Sequence, residues 1–193
     1  DYKYAGKLSL QCRLELVNEE FMDAICRLKY GNGCDVLLEF GIQTLVKEEM
    51  HAIGRYNNLT KIRRNLAAIN DHKIPYEMSI IYGLPNQTVQ SFENSIATLR
   101  AMTDTDISTI KAFPLMILRG TKLDSSEIRR KYGIVEDADL AHQVFCNMEN
   151  TQRQLQNIPH VIQTNTYSTQ DWIAMSHIAA RLESDEQRFR LLP

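Results

Sequence analysis

Glu39-Phe40-Gly41-Ile42-Gln43-Thr44 and, further on, Ile80-Ile81-Tyr82-Gly83-Leu84-Pro85 decide how this chain folds. Each closes a short apolar run, Asp35 to Phe40 and Tyr76 to Tyr82, whose cores (VLLEF, MSIIY) show little alternation. That pattern predicts parallel strands covered on both faces. A glycine follows each run, where the backbone must turn sharply or approach a ligand closely. Polar residues at these strand ends, Gln43, Ser79 and Gln87 among them, are placed to meet a ligand, because a barrel of parallel strands builds its site there.

Working outward, two more strands are expected at Leu8 to Leu16 and Thr109 to Leu115. Helical spacing fills the intervals. Glu19 to Tyr30 follows Asn18 as N-cap, Thr60 to His72 carries Ile62, Leu66 and Ile69, and Thr88 to Met102 carries Phe92, Ile96 and Leu99. Strand and helix alternate at intervals of roughly 30 to 40 residues, the order of βαβ units. Beyond Gly120 the pattern becomes mainly helical, at Ser125 to Tyr132, Asp137 to Gln156 and Asp171 to Leu182, with a short apolar segment (HVIQT) before the last. The expected architecture is α/β: a partial (β/α) barrel of about four parallel strands with outer helices in residues 1–120, then a helical C-terminal extension in residues 121–193.

Composition narrows the function. A net charge of -2 in 193 residues gives no general attraction to nucleic acid or to an anionic membrane. No apolar run reaches the length of a membrane span, and Asp1-Tyr2-Lys3-Tyr4 lacks a signal-peptide pattern. The expected location is cytoplasmic, and the absence of an initiating Met suggests a piece of a longer protein. Cys12, Cys26, Cys34 and Cys146 do not have the short spacings of zinc or iron–sulfur ligands, so reduced, mostly buried thiols are expected. The five histidines show no ligand spacing either, and no metal site is assigned. Tyr167 and Trp172 read as packing residues.

Taken together, EFGIQT, Gly54-Arg55, SIIYGLPNQT and KAFPLMILRGTKL resemble the radical S-adenosylmethionine (SAM) superfamily over Cys12 to Tyr132. The similarity is to the branch of oxygen-independent coproporphyrinogen oxidase and the cobalamin-domain radical SAM proteins. It implies a radical SAM Fe–S oxidoreductase that cleaves SAM reductively to a 5′-deoxyadenosyl radical, with SAM and a [4Fe–4S] cluster as cofactors and cobalamin as one the branch allows. A small-molecule substrate and a reductant such as flavodoxin or ferredoxin would be the partners.

Residue by residue, the resemblance makes Glu15, with Arg13 before it, a strand-end glutamate at the SAM pocket. Gln43 becomes a SAM contact, and Arg55 the partner of the methionyl carboxylate, a task suited to a planar, bidentate guanidinium. Ser79 stands where relatives often carry an acidic residue on the ribose hydroxyls, while Ile81 and the backbone near Phe113 and Pro114 would pack on the adenine. The catalytic residues themselves are not identified. The family's CxxxCxxC loop is absent, as is the glycine-rich segment that holds the SAM amino group. The resemblance places both upstream with the first two strands, so the chain alone is expected to be inactive and to hold no cofactor tightly. Two rival readings remain: a non-catalytic or degenerate SAM-binding module, and a cluster-free barrel lyase or hydrolase using Lys111.

Overall fold

A computed structural model describes residues 6–149 and 158–190. Four strands, β1 (Lys7–Cys12), β2 (Asp35–Gln43), β3 (Tyr76–Tyr82) and β4 (Ser108–Pro114), form one parallel sheet in the order β1-β2-β3-β4. Between them come α1 (Glu19–Cys26), α2 (Lys47–Ile53), α3 (Leu59–Asp71) and α4 (Val89–Arg100). Each strand lies beside its predecessor, which a parallel sheet permits only through crossover connections. The α/β partial barrel expected from the sequence is therefore present.

Its details differ in instructive ways. The first strand stops at Cys12, and a 3-10 turn at Leu14–Leu16 follows. Glu15 thus sits on a turn beyond the strand. β2 runs three residues further than the apolar run suggested, through Gly41 to Gln43. α1 begins after Asn18, whose side chain accepts the Phe21 N–H at 2.8 Å, and passes into a π-turn at Arg27–Gly31. α3 is capped by Asn58, which accepts from the Lys61 N–H, and α2 lies in a segment where the sequence reading placed no helix.

Among the described residues, β2 and β3 bury one face and leave the other half-exposed. Val36, Leu38, Phe40 and Ile42 of β2 are buried, as are Tyr76, Met78, Ile80 and Tyr82 of β3, while the residues between them are half-exposed. The apolar run is broken by Glu39, Glu77 and Ser79, all on the half-open face; register pairs Glu39 with Glu77 and Gly41 with Ser79.

Two compact units divide the chain. One holds the described residues up to Leu45, with Asn57–Ile80 and Ile96–Lys111. Its core gathers Leu14, Met22, Ile25, Phe40, Ile62, Leu66, Ile69 and Leu99 with the buried strand face. Phe40 and Tyr76 meet as tilted rings 6.2 Å apart.

The other holds Val46–Tyr56, Ile81–Ser95 and the described residues from Ala112 onward. There α5 (Ser126–Tyr132), α6 (Asp139–Glu149) and α7 (Thr169–Arg190) are joined by a two-stranded antiparallel sheet, β5 (Val135–Asp137) with β6 (His160–Gln163). The HVIQT segment is thus β6. Trp172 is fully buried and packs its ring 5.9 Å from Tyr82, which in turn lies 5.8 Å from Phe92. The part of the expected Asp137–Gln156 helix beyond Glu149 lies outside the described residues. No helix among the described residues is long and apolar enough to cross a membrane.

Candidate functional site

In the first unit the expected ligand residues lie at strand ends, Glu15 on the 3-10 turn after β1 and Gln43 as the last residue of β2. Gln43 has φ +61°, a left-handed conformation that costs a residue with a side chain. The Thr44 N–H donates to the Ile42 carbonyl at 2.8 Å, closing a γ-turn centred on Gln43. With positive φ this is the rare, strained form of that turn. The Gln43 side chain folds back over Gly41, where a Cβ would come within 2.6 Å of its Nε2. Its Oε1 is buried and has no hydrogen-bond partner among the described residues.

Asn57 holds this turn from outside. Its Nδ2 donates to the carbonyls of both Ile42 and Thr44, at 2.7 and 2.8 Å. Buried Asn65 does the same for the Glu15 turn, donating to the Leu14 and Val17 carbonyls at 2.8 and 2.9 Å. The Glu15 carboxylate accepts from Arg13 and from the Asn58 N–H, each at 3.3 Å. Desolvation pushes its carboxyl up, but the hydrogen bonds from its own backbone, Arg13 and Asn58 outweigh this and hold it below the usual carboxylate range. Ser79, half-buried, is the register partner of Gly41.

One step toward the N-terminal ends of the strands, the same open face carries a polar row. Glu39 accepts from Ser9 and from Gln11, the latter at 2.7 Å, and Glu77 is ion-paired with Lys111 at 2.5 Å. The hydrogen bonds from Ser9 and Gln11, with Lys111 nearby, keep the Glu39 carboxyl below its ordinary value.

In the second unit the Gly83 turn is tied from within. Gln87 Oε1 accepts from the N–H groups of Gly83 and Leu84, at 2.7 and 3.2 Å, and its Nε2 donates to the Ile81 carbonyl and to Glu49. Gln87, read from the sequence as a candidate ligand contact, is thereby spent on its own backbone. Fully buried Glu49 also accepts from Ser91 at 2.6 Å. Tyr167 donates its hydroxyl to the Gly83 carbonyl at 2.8 Å, and burial pushes that phenol far up. Tyr167 and Trp172 are packing residues, as expected.

Arg55 leaves the C-terminus of α2 through a Schellman motif. Gly54 has φ +66°, its N–H donates to His51 O, and the Arg55 N–H reaches back to Met50 O at 3.0 Å. The glycine before Arg55 is therefore explained by the helix end. Ile81 and Pro114 are half-buried at the ends of β3 and β4, and Phe113 is 45% exposed. Met116, two residues past β4, is 46% exposed.

Among the described residues no three or more His, Cys, Asp or Glu side chains gather as a metal site. Cys12 and Cys26 are half-buried free thiols and Cys34 a buried one. They do not fit a [4Fe–4S] cluster. The Gln43 amide oxygen is buried and unpartnered among the described residues, and the space above Gly41 is what its side chain folds into. The asparagines that hold these turns escaped the sequence reading. The Asn57-Asn58 pair before an apolar-periodic helix signals a cap, but nothing local announces that Asn57 reaches the end of another strand.

No family model matches the chain. It is 22% identical over 136 residues to an uncharacterized protein of Methanocaldococcus jannaschii, covering 70% of this chain and 41% of that one. It is 26% identical over 114 residues to the YhcC protein of Escherichia coli K12, covering 59% and 36%. The chain thus spans about two-fifths of the length of the curated relatives it matches. Among solved structures, the archaeal Elp3 of Methanocaldococcus infernus superposes with a TM-score of 0.52 at 16% identity, over 65% of this chain and 28% of that one. The coproporphyrinogen III oxidase HemN of Escherichia coli, described as a radical SAM enzyme, gives 0.49 at 18% identity, over 73% and 32%. At these identities the likeness to Elp3 supports a shared α/β fold and nothing finer.

Proposed function

We propose that this chain is the SAM-binding wall of a radical SAM Fe–S oxidoreductase. The observation that carries the reading is the Gln43 turn. A strained, doubly clamped residue ends a barrel strand, with a buried amide oxygen that no described residue satisfies. Strain of this kind persists where the surroundings over-determine it, and it clusters at ligand clamps. Gln43 and Glu15 would face SAM with Ser79 on the ribose, Arg55 would take the methionyl carboxylate, and Ile81, Phe113 and Pro114 would border the adenine. The Ser79 hydroxyl can donate to or accept from a ribose hydroxyl.

In the full-length protein a [4Fe–4S] cluster would supply the electron that splits SAM into methionine and a 5′-deoxyadenosyl radical, and the residues of this chain would position SAM. In this proposal the cluster cysteines belong to the full-length protein outside these 193 residues, a flavodoxin or ferredoxin is the reductant, and a small molecule is the substrate. Cobalamin is a further cofactor the resemblance allows. The rival use of Lys111 as a Schiff-base lysine is disfavoured by its ion pair with Glu77.

The test is anaerobic reconstitution of the full-length protein followed by reduction with dithionite in the presence of SAM. A 4Fe–4S absorption band and release of 5′-deoxyadenosine are expected, with SAM affinity falling in Gln43→Ala and Arg55→Ala. A protein that shows neither the band nor SAM cleavage sinks the reading.

A further inference from the structure

Two turns that the sequence places far apart, around Glu15 and Gln43, are held by one helix and the residue pair in front of it. Asn57 spends its Nδ2 on the two carbonyls flanking Gln43, Asn58 gives its N–H to Glu15, and Asn65 spends its Nδ2 on the carbonyls at either end of the Glu15 turn. A carboxamide has two N–H donors, and Asn57 and Asn65 each commit both to one turn.

Helix capping does not require Asn57, because Asn58 already caps α3 through the Lys61 N–H. Nor does the end of β2 require the clamp for its ladder, which pairs Gln43 with Ile80. What the clamp does is hold the Ile42 and Thr44 carbonyls to the two N–H groups of one amide nitrogen. That fixes the Ile42–Gln43 peptide before the residue and the Thr44–Leu45 peptide one step beyond it, which brackets Gln43 and keeps it at positive φ. Without it, the turn would relax toward an unstrained conformation, and the Gln43 amide would leave its place over Gly41.

We propose that Asn57 is the positioning residue for Gln43, and that α3 registers the Gln43 and Glu15 turns as one unit. The ligand's identity rests on the SAM reading above; the conformational claim does not. Apparent affinity scales with the fraction of molecules holding the competent turn. The strain of one left-handed residue makes that factor roughly ten- to a hundredfold.

Asn57→Ala and the isosteric, donor-free Asn57→Asp should be made in the full-length protein, with Asn70→Ala as control. Asn70 lies on the same helix but donates to the Met102 carbonyl. Hydrogen exchange is read without ligand in a peptide spanning Ile42 to Leu45, and SAM affinity by titration calorimetry. Both Asn57 variants should speed exchange in that peptide and weaken SAM roughly tenfold. In a Gln43→Ala background, Asn57→Ala should add no further loss. Asn70→Ala should lower thermal stability and leave both readouts unchanged. Unchanged exchange in the Asn57 variants, or losses that add fully to that of Gln43→Ala, overturns the proposal. Should the wild-type protein bind no SAM, the functional reading falls while the exchange measurement still decides the role of Asn57.

Discussion

Gly41 and Gly83 both sit at strand ends, yet they are glycines for different reasons. Gly41 does not need positive φ, and the space above it belongs to the Gln43 amide, 2.6 Å from where a Cβ would stand. Gly41→Ala should therefore fold but push the Gln43 side chain aside. On the proposed SAM reading, the expected outcome in the full-length protein is about a tenfold loss of SAM affinity, on the order of one hydrogen bond misplaced, with the urea midpoint nearly unchanged. Gly83 instead has φ +86°, and a Cβ there would meet the Val161 carbonyl at 3.0 Å and the Tyr167 hydroxyl at 3.4 Å. Gly83→Ala combines left-handed strain with close contact to backbone. It should cost about 1–3 kcal/mol or more, read as a lowered denaturation midpoint. Both glycines were visible in the sequence as turn residues; the difference between them was not, because it is set by residues far along the chain.

At the scale of elements, legibility followed the range of the interactions. α1 and its Asn18 cap, and the apolar stripe of α3, are local patterns and were read correctly. α2 escaped because seven residues are too few to show a helical period, and its end is marked only by Gly54. β5 escaped because three residues, Val135-Glu136-Asp137, show no alternation long enough to read; only pairing with β6 makes them a strand. That small sheet carries a titration. Burial pushes the His160 imidazole below its ordinary value of 6.5, against the opposing pull of the Ile158 backbone and Glu136. A folded-state pKa below the unfolded one means that the unfolded chain takes the proton first as pH falls. Stability is then at its full value above about pH 6.5 and declines below it until the folded imidazole also protonates. Urea midpoints measured near pH 8 and near pH 5.5 should show this decline in the wild type. His160→Gln should flatten it, and a variant with an identical slope would show that His160 is not the titrating group.

Over the whole sheet, the open face explains both what the sequence reading got right and what it missed. The apolar residues of β2 and β3 marked a buried parallel sheet, but glutamates within those runs marked the face that is not buried. Register, which no single strand reveals, brings Glu39 beside Glu77. Like charges on directly neighbouring strand positions are destabilising, and here Lys111 on β4 answers Glu77 with side chains 32% and 16% exposed. The lysine therefore compensates a repulsion built into the strand pairing. Lys111→Met should destabilise the protein by about 1 kcal/mol, since both groups remain partly solvated. The loss should shrink in roughly 1 M salt, where the screening length is short. Adding Glu77→Gln to Lys111→Met should recover most of it by removing one of the two facing carboxylates. A double-mutant cycle with no coupling between the two positions would show that the row is three independent surface charges, and that the open face carries no electrostatic constraint of its own.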